Sequence, residues 1–317
     1  MPDPPIVIAH RGASAYLPEH TLEAKALAHA MGADFIEQDL VLSRDDEIVV
    51  IHDIYLETVT NVANLFPGRN REDGHYYVID FDWAELRQLD AHQRMDPETG
   101  RAVYPDRHPP EGATFHLHRL GDELELIQEL NRAKGKRVGV YPEIKNPSFH
   151  RGEGRDISKR VLSVLNAHGY KDKNDLCYLQ CFDPVELKRI RTEYHSRLKL
   201  VQLISGNLWR EAEFDPSNLG KTVLQIAQYA DGIGPPLGPS DTSEDEDDYL
   251  HWISLTKLAH DRGLVVHPYT FKKEMLPEGS NLVTFTANFL KRTGVDGFFT
   301  DFPDLGAESV RSVRDQP

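Results

Sequence analysis

The chain is short of cysteine, of long apolar runs and of positive charge, and each shortage closes off a class of protein. Only two cysteines occur in 317 residues, both inside the apolar run Cys177-Tyr-Leu-Gln-Cys181-Phe182. In an extended strand, four residues separate their Cα atoms by about 13 Å. A disulfide spans about 7 Å at most, so the two do not pair and no disulfide framework holds the fold. No apolar stretch approaches the roughly 18 residues of a membrane span, which excludes stable membrane insertion. The start, Met1-Pro-Asp-Pro-Pro5, enters a strand pattern at once, as expected of a cytoplasmic chain or of a mature form whose signal has been removed. Lys and Arg number 36 against 51 Asp and Glu, a formal net charge of -15. That balance argues against a nucleic-acid partner and against docking on anionic lipid, both of which need a basic surface. A small anionic substrate would still require a local cluster of positive groups.

Short β-leaning runs alternate with helical patterns, the mark of a parallel α/β fold. The runs lie at 6–10, 35–41, 48–52, 138–143, 176–182, 199–204, 232–234, 264–270 and 297–300. Thr21 is placed to cap a helix ending before Gly32, and Asp183-Pro184 opens another with proline in its first turn. Nine runs are one too many for an eight-stranded barrel. The five residues Ser43-Arg-Asp-Asp-Glu47 can close a hairpin but cannot carry a crossover helix. The run 48–52 is therefore expected to fold back antiparallel on the end of the second strand, with His52 opposite Asp39. The other eight predict a TIM (β/α)8 barrel.

Residues 53–118 show no clear period and carry turn signals such as Phe66-Pro67-Gly68 and Glu72-Asp73-Gly74. They read as a small inserted domain near the C-terminal mouth of the barrel, which is itself made of 1–52 and 119–317. The acidic run Ser243-Glu-Asp-Glu-Asp-Asp248 reads as a solvated loop.

Barrel chemistry occurs at the C-terminal strand ends. Those ends carry His10-Arg11, Glu37-Gln-Asp39 and Glu143-Ile-Lys145, and the hairpin delivers His52. Side chains alternate along a strand, so Glu37 shares a face with Asp39, and Glu143 with Lys145. Three carboxylates around one mouth suit an oxygen-loving cation, Ca²⁺ or Mg²⁺, and not zinc. Three carboxylates with a divalent ion leave one negative charge, and Arg11 with Lys145 turn this to one positive. A phosphodiester monoanion brings the sum to zero. His10 and His52 stand ready to give and take protons near neutral pH. Taken singly, each pair reads as an ordinary cap or ion pair; their coincidence at the strand ends makes them a site.

These residues also carry a resemblance. The segments His10-Arg-Gly-Ala-Ser14, Pro18-Glu-His-Thr21, Ile36-Glu-Gln-Asp39, Val50-Ile-His-Asp53, Tyr141-Pro-Glu-Ile-Lys145 and Phe299-Thr-Asp-Phe-Pro303 resemble the glycerophosphodiester phosphodiesterase family. Gly74-His-Tyr-Tyr-Val-Ile-Asp-Phe81, Leu179-Gln-Cys-Phe-Asp183 and Val266-His-Pro-Tyr-Thr270 are similar to its bacterial periplasmic branch. The resemblance implies hydrolysis of glycerophosphodiesters, such as glycerophosphocholine or glycerophosphoethanolamine, to glycerol 3-phosphate and an alcohol. It implies His10 and His52 as acid/base residues, and Glu37, Asp39 and Glu143 as ligands of one divalent cation, Ca²⁺ ahead of Mg²⁺. Arg11 and Lys145 would hold phosphate, and Phe182 would wall the glycerol. After Asp231-Gly-Ile-Gly-Pro235 the chain departs from the family pattern. Two other readings remain at this point: a metal-dependent barrel aldolase or isomerase, and a surface binding protein on the same fold.

Overall fold

The computed structural model describes residues 4–107, 109, 112–205, 219–238 and 246–314. The strands are β1 (Ile6–Ala9), β2 (Phe35–Leu42), β3 (Ile48–Val50), β4 (Asp90–Ala91), β5 (Phe115–His116), β6 (Gly139–Ile144), β7 (Tyr178–Cys181), β8 (Lys199–Leu203), β9 (Gly232–Gly234), β10 (Val265–Val266) and β11 (Gly297–Thr300). Eight of them form one parallel sheet in the order β10-β9-β8-β7-β6-β2-β1-β11. The sheet closes on itself beyond β10, where Phe299 N donates to Pro268 O and Phe271 N to Phe299 O, at 2.9 and 2.8 Å. The fold is a TIM barrel. The run expected at 264–270 pairs regularly only over Val265–Val266, since Pro268 has no N–H for a ladder.

Helices Leu22–Met31 and Leu120–Lys134 cover β2 from outside. Thr21 caps the first, its hydroxyl accepting from Ala24 N at 3.3 Å, and Gly32 ends it with φ 96°. Asp183 caps Pro184–Thr192 by accepting from Val185 N and Glu186 N. Among the described residues, no helix is long and apolar enough to cross a membrane. Both cysteines are buried and free.

The inward faces of the strands set up the site. Ile8, Phe35, Tyr141, Val201 and Phe299 form a buried apolar cluster. Gly139 and Gly297 give it room: a Cβ at Gly139 would lie 2.3 Å from the Phe35 ring, and one at Gly297 2.4 Å from Ile6 Cγ1. Two residues further along the same faces come His10, Glu37, Glu143 and Asp301, then Asp39 and Lys145.

β3 pairs antiparallel with β2, Leu40 opposite Val50 and Leu42 opposite Ile48. The loop is Arg44-Asp45-Asp46, with Asp46 left-handed at φ 62°, closed by Ser43 N donating to Glu47 O. This is a three-residue hairpin whose last residue takes the left-handed position. The expected register is off by one: Ile51 N donates to Asp39 O, so Ile51 and not His52 stands opposite Asp39.

Residues 53–118 contain short helices, Val62–Leu65 and Trp83–Leu86, and the antiparallel pair β4–β5. They gather around a second apolar cluster, with Leu56, Val62, Val78, Phe81, Leu86 and Leu89 at its centre and Val41, Val49 and Ile51 of the hairpin at its base. Of the acidic run, 243–245 lie outside the described residues. Residues 246–248 open the helix Glu246–His260 in place of continuing a loop.

A buried charged network fills the space between β2 and its two helices. Lys25 Nζ, fully buried, donates to Glu37 O and to His20 Nδ1, the latter at 3.1 Å, and lies 3.3 Å from Glu123 Oε1. Glu123 also accepts from Gln38 Nε2 at 2.8 Å and His118 Nε2 at 2.7 Å. Burial pushes the Glu123 carboxyl up, but Lys25, His118 and Gln38 outweigh it and hold it down at about 2. Removing one partner of such a pair strands the other. Lys25→Met is expected to destabilise the fold by about 3–5 kcal/mol, read from the midpoint of urea unfolding. In the wild type, the Glu123 contribution is present above the ordinary carboxyl value of about 4.3. Because the folded value is depressed, that contribution is lost as pH falls through about 2.

Candidate active site

A cavity of about 370 Å³ opens at the C-terminal ends of the strands, and His10, Arg11, Glu37, Asp39, His52, Glu143, Lys145 and Phe182 all line it. The eight residues named from the sequence thus meet in one place, sized for a small molecule.

The His10-Arg11-Gly12 turn is built by backbone geometry. Arg11 is left-handed at φ 59° and Gly12 at φ 88°, and a Cβ on Gly12 would lie 2.9 Å from the Ala24 carbonyl. The turn aims Arg11 N at Glu37 Oε2, 2.6 Å away. The Arg11 side chain reaches Glu19 by Nη1, at 3.0 and 3.1 Å to its two oxygens, and lies 3.4 Å from Asp39 by Nε. Lys145 Nζ lies 2.7 Å from Glu143 Oε1 and 3.4 Å from Asp39 Oδ1.

The carboxylates are crowded and dry. Burial, and then Asp39, push Glu37 well above the ordinary range, and burial pushes Glu143 up to about 7 against the pull of Lys145. Asp39 stays well below that range: burial opposes its ionisation, but Lys145, His52 and His20 overcome it. Asp39 Oδ1 is buried without a hydrogen-bond partner among the described residues. A buried oxygen with no hydrogen bond, the Lys145 ammonium 3.4 Å away, set among carboxylates that resist sharing negative charge, fits a cation. Donor atoms of His20, Glu37 and Asp39 lie within 4.8 Å of one another. His20 is nevertheless occupied on both nitrogens: Nδ1 accepts from Lys25, so Nε2 carries the proton and donates to Asp39 Oδ2 at 2.8 Å. Burial and Lys25 keep this imidazole neutral, down to about 3. It orients Asp39 from behind.

Each cavity histidine is backed by a carboxylate. His10 Nδ1 donates to Asp301 Oδ1 and His52 Nδ1 to Asp53 Oδ1, both at 2.6 Å. This leaves each Nε2 as the free acceptor. Burial, then Arg11 and Lys145, lower His52 to about 4, and burial with Arg11 lowers His10, partly offset by Asp301. Burial would raise Asp53 and Asp301, but their histidines, joined by Arg94 and Arg107, hold both well below the ordinary range. On the apolar side, Phe182 stands edge-on to Tyr269 with ring centroids 6.0 Å apart.

Sequence reading did not assign roles to Glu19, His20, Asp53 and Asp301. All four were within reach, because each lies inside one of the segments that carry the family resemblance, and Asp301 directly follows β11. Lys25, Arg94 and Arg107 gave no such signal, since only the folded chain brings them near.

A family model described as the glycerophosphoryl diester phosphodiesterase family matches residues 10–305. A glycerophosphodiester phosphodiesterase of Haemophilus influenzae is 43% identical, over 98% of this chain and 90% of its own length. One of Treponema pallidum is 37% identical, over 96% and 91%. A solved structure from Silicibacter pomeroyi superposes with a TM-score of 0.73 at 24% identity, covering 98% of this chain and 95% of the other. An Oleispira antarctica phosphodiesterase, solved in complex with the product sn-glycerol-3-phosphate, superposes with a TM-score of 0.65 at 19% identity, covering 99% and 98%. Those two share the fold; the match of the family model, supported by relatives alike over nearly the whole chain, places this chain in the glycerophosphoryl diester phosphodiesterase family.

Proposed function

We propose that this chain hydrolyses small glycerophosphodiesters, such as glycerophosphocholine or glycerophosphoethanolamine, to glycerol 3-phosphate and an alcohol. The observation that carries this reading is the convergence of two Asp-backed imidazoles with a carboxylate cluster and two cations in one cavity. Arg11 and Lys145 bind the phosphate oxygens, and Phe182 walls the glycerol carbons. Glu37, Asp39 and Glu143 hold one divalent cation, which when bound supplies Lewis-acid stabilisation of the phosphoryl oxygens. Ca²⁺ is placed ahead of Mg²⁺ because it tolerates irregular oxygen coordination.

The imidazoles carry the protons. One Nε2 takes the proton of the attacking hydroxyl, and the other, protonated, gives one to the leaving alcohol. Burial first, then Arg11 and, at His52, Lys145, disfavour that protonated state in the free site. A bound phosphodiester monoanion offsets the charge of the two cations and so favours it. The attacking oxygen is assigned to the glycerol 2-hydroxyl. It expels the alcohol and forms a cyclic phosphate, which water opens with the histidines exchanging roles.

Residues 53–118 act as a small insertion domain on a barrel of 1–52 and 119–317, with Gln93, Arg94, Tyr104 and Arg107 at the cavity in support. Work in the periplasm is proposed on motif resemblance alone, and cell fractionation tests it.

Glu37→Gln, Asp39→Asn and Glu143→Gln are each expected to weaken cation binding and remove most activity; unchanged calorimetric affinity for Ca²⁺ and Mg²⁺ in all three would refute the ligand set. His10→Ala and His52→Ala are expected to lower kcat by roughly 10²–10⁴-fold with the fold retained. Near-normal turnover in either would remove that histidine from the reaction. A 2-deoxy substrate is expected to bind but to turn over far more slowly, because an intramolecular hydroxyl is worth several kcal/mol, on the order of 7 or more. Comparable kcat for the two substrates would leave direct attack by water.

A further inference from the structure

The oxygen of each backing carboxylate that does not face a histidine is gripped by an arginine from the insertion. Arg94 Nη1 donates to Asp53 Oδ2 at 2.5 Å, and Arg107 Nη2 to Asp301 Oδ2 at 2.8 Å. Both arginines are held from their other side by a second carboxylate. Glu19 accepts from Arg94 Nε and Nη2 at 3.0 and 2.6 Å, and Glu274 accepts from Arg107 Nε and Nη2 at 2.7 and 2.9 Å. The same relay therefore occurs twice, from imidazole to aspartate to arginine to glutamate, once behind each histidine.

Both arginines belong to one small piece of chain. Val103 N donates to Arg94 O and Asp96 N to Arg101 O, so 94–103 forms a hairpin, and Met95 N donates to Thr58 O. Arg94 stands at its root, and Arg107 lies four residues beyond its second arm, stacked 3.7 Å over the Tyr104 ring. Exposed ion pairs contribute little, but these side chains are only 17% and 10% exposed, and each shares its carboxylate with an imidazole. A carboxylate held by one oxygen can pivot about that contact. Held by both, it fixes the plane of the ring it accepts from.

We propose that Arg94 and Arg107 are positioning residues that act through Asp53 and Asp301 to fix His52 and His10, so that the insertion completes the catalytic pair as well as bounding the cavity. This rests on the roles given to the two histidines under the proposed function. Neither arginine transfers a proton. Their loss loosens the imidazoles: Asp301 Oδ2 loses its guanidinium, and Asp53 Oδ2 keeps only the Thr58 hydroxyl at 3.0 Å. A misplacement of about 1 Å can cost up to roughly 10²-fold in rate.

The test measures kcat and KM of the full chain, loaded with Ca²⁺, for Arg94→Met, Arg107→Met, Arg94→Lys and Arg107→Lys. Two substrates are used: glycerophosphocholine, whose alcohol needs a proton to leave, and glycerol 3-phosphate p-nitrophenyl ester, whose phenolate does not. The expected result is a kcat loss of roughly 10–10²-fold in each Met variant on glycerophosphocholine, with KM within about threefold. The Lys variants, lacking the two-pronged guanidinium, recover only part of it. On the p-nitrophenyl ester, the variant serving the acid histidine recovers most of its rate and the other does not, a split that general loosening of the fold cannot produce. Adding Asp301→Asn to Arg107→Met, or Asp53→Asn to Arg94→Met, costs little more than the aspartate change alone. The inference is overturned if kcat stays within twofold of wild type, or if KM alone rises, which would make the arginines substrate contacts. Equal losses of both variants on both substrates would also overturn it. If the wild type releases neither choline nor p-nitrophenol, or if His10→Ala and His52→Ala are fully active, the catalytic reading itself fails and takes this inference with it.

Discussion

Everything around the cavity answers to one electrostatic constraint: three carboxylates, Glu37, Asp39 and Glu143, are buried together at the ends of two neighbouring strands. Ionised carboxylates shut away from water are costly unless countercharge and donors are brought in with them. The molecule supplies these from every direction. Arg11 comes from the turn after β1, Lys145 from the end of β6, and Lys25 with His20 from the helix side of β2. Even so, burial holds Glu37 and Glu143 above the ordinary carboxylate range.

The parts of this arrangement that follow from strand periodicity were legible in the sequence. Two-residue spacing put Glu37 with Asp39 and Glu143 with Lys145 on the inner face, and a connection too short for a helix separated β3 from the barrel strands. The register of that hairpin was missed by one because Asp46 takes a left-handed position inside the turn, a backbone choice that composition does not announce. Asp301 could have been read as a strand-end residue. The cross-links formed by Lys25, Arg94 and Arg107 could not, because each joins segments distant in sequence: Arg94 is 41 positions from its partner Asp53, and Arg107 is 194 from Asp301. Long-range ionic contacts carry no local pattern.

Residues 53–118 illustrate how weak local signals can still gather around an apolar cluster. Their helices are four residues long and their strands two, too short to persist alone. They are held by a shared apolar cluster that begins on the hairpin residues Val41, Val49 and Ile51. The outward face of the hairpin thus anchors this segment, while its end delivers His52 to the cavity.

The plugged floor of the barrel has a consequence for traffic. Phe35, Tyr141 and Phe299 close the interior beneath the carboxylates, with Tyr141 stacked on Tyr178 and bonded through its hydroxyl to His267 Nδ1 at 2.8 Å. A barrel stoppered in this way is reached, among the described residues, from the C-terminal ends of its strands. What enters from that side leaves by it, and a chamber of about 370 Å³ gives two products little room to pass one another. Departure then follows depth: the fragment nearer the opening leaves first, and the deeper one waits behind it.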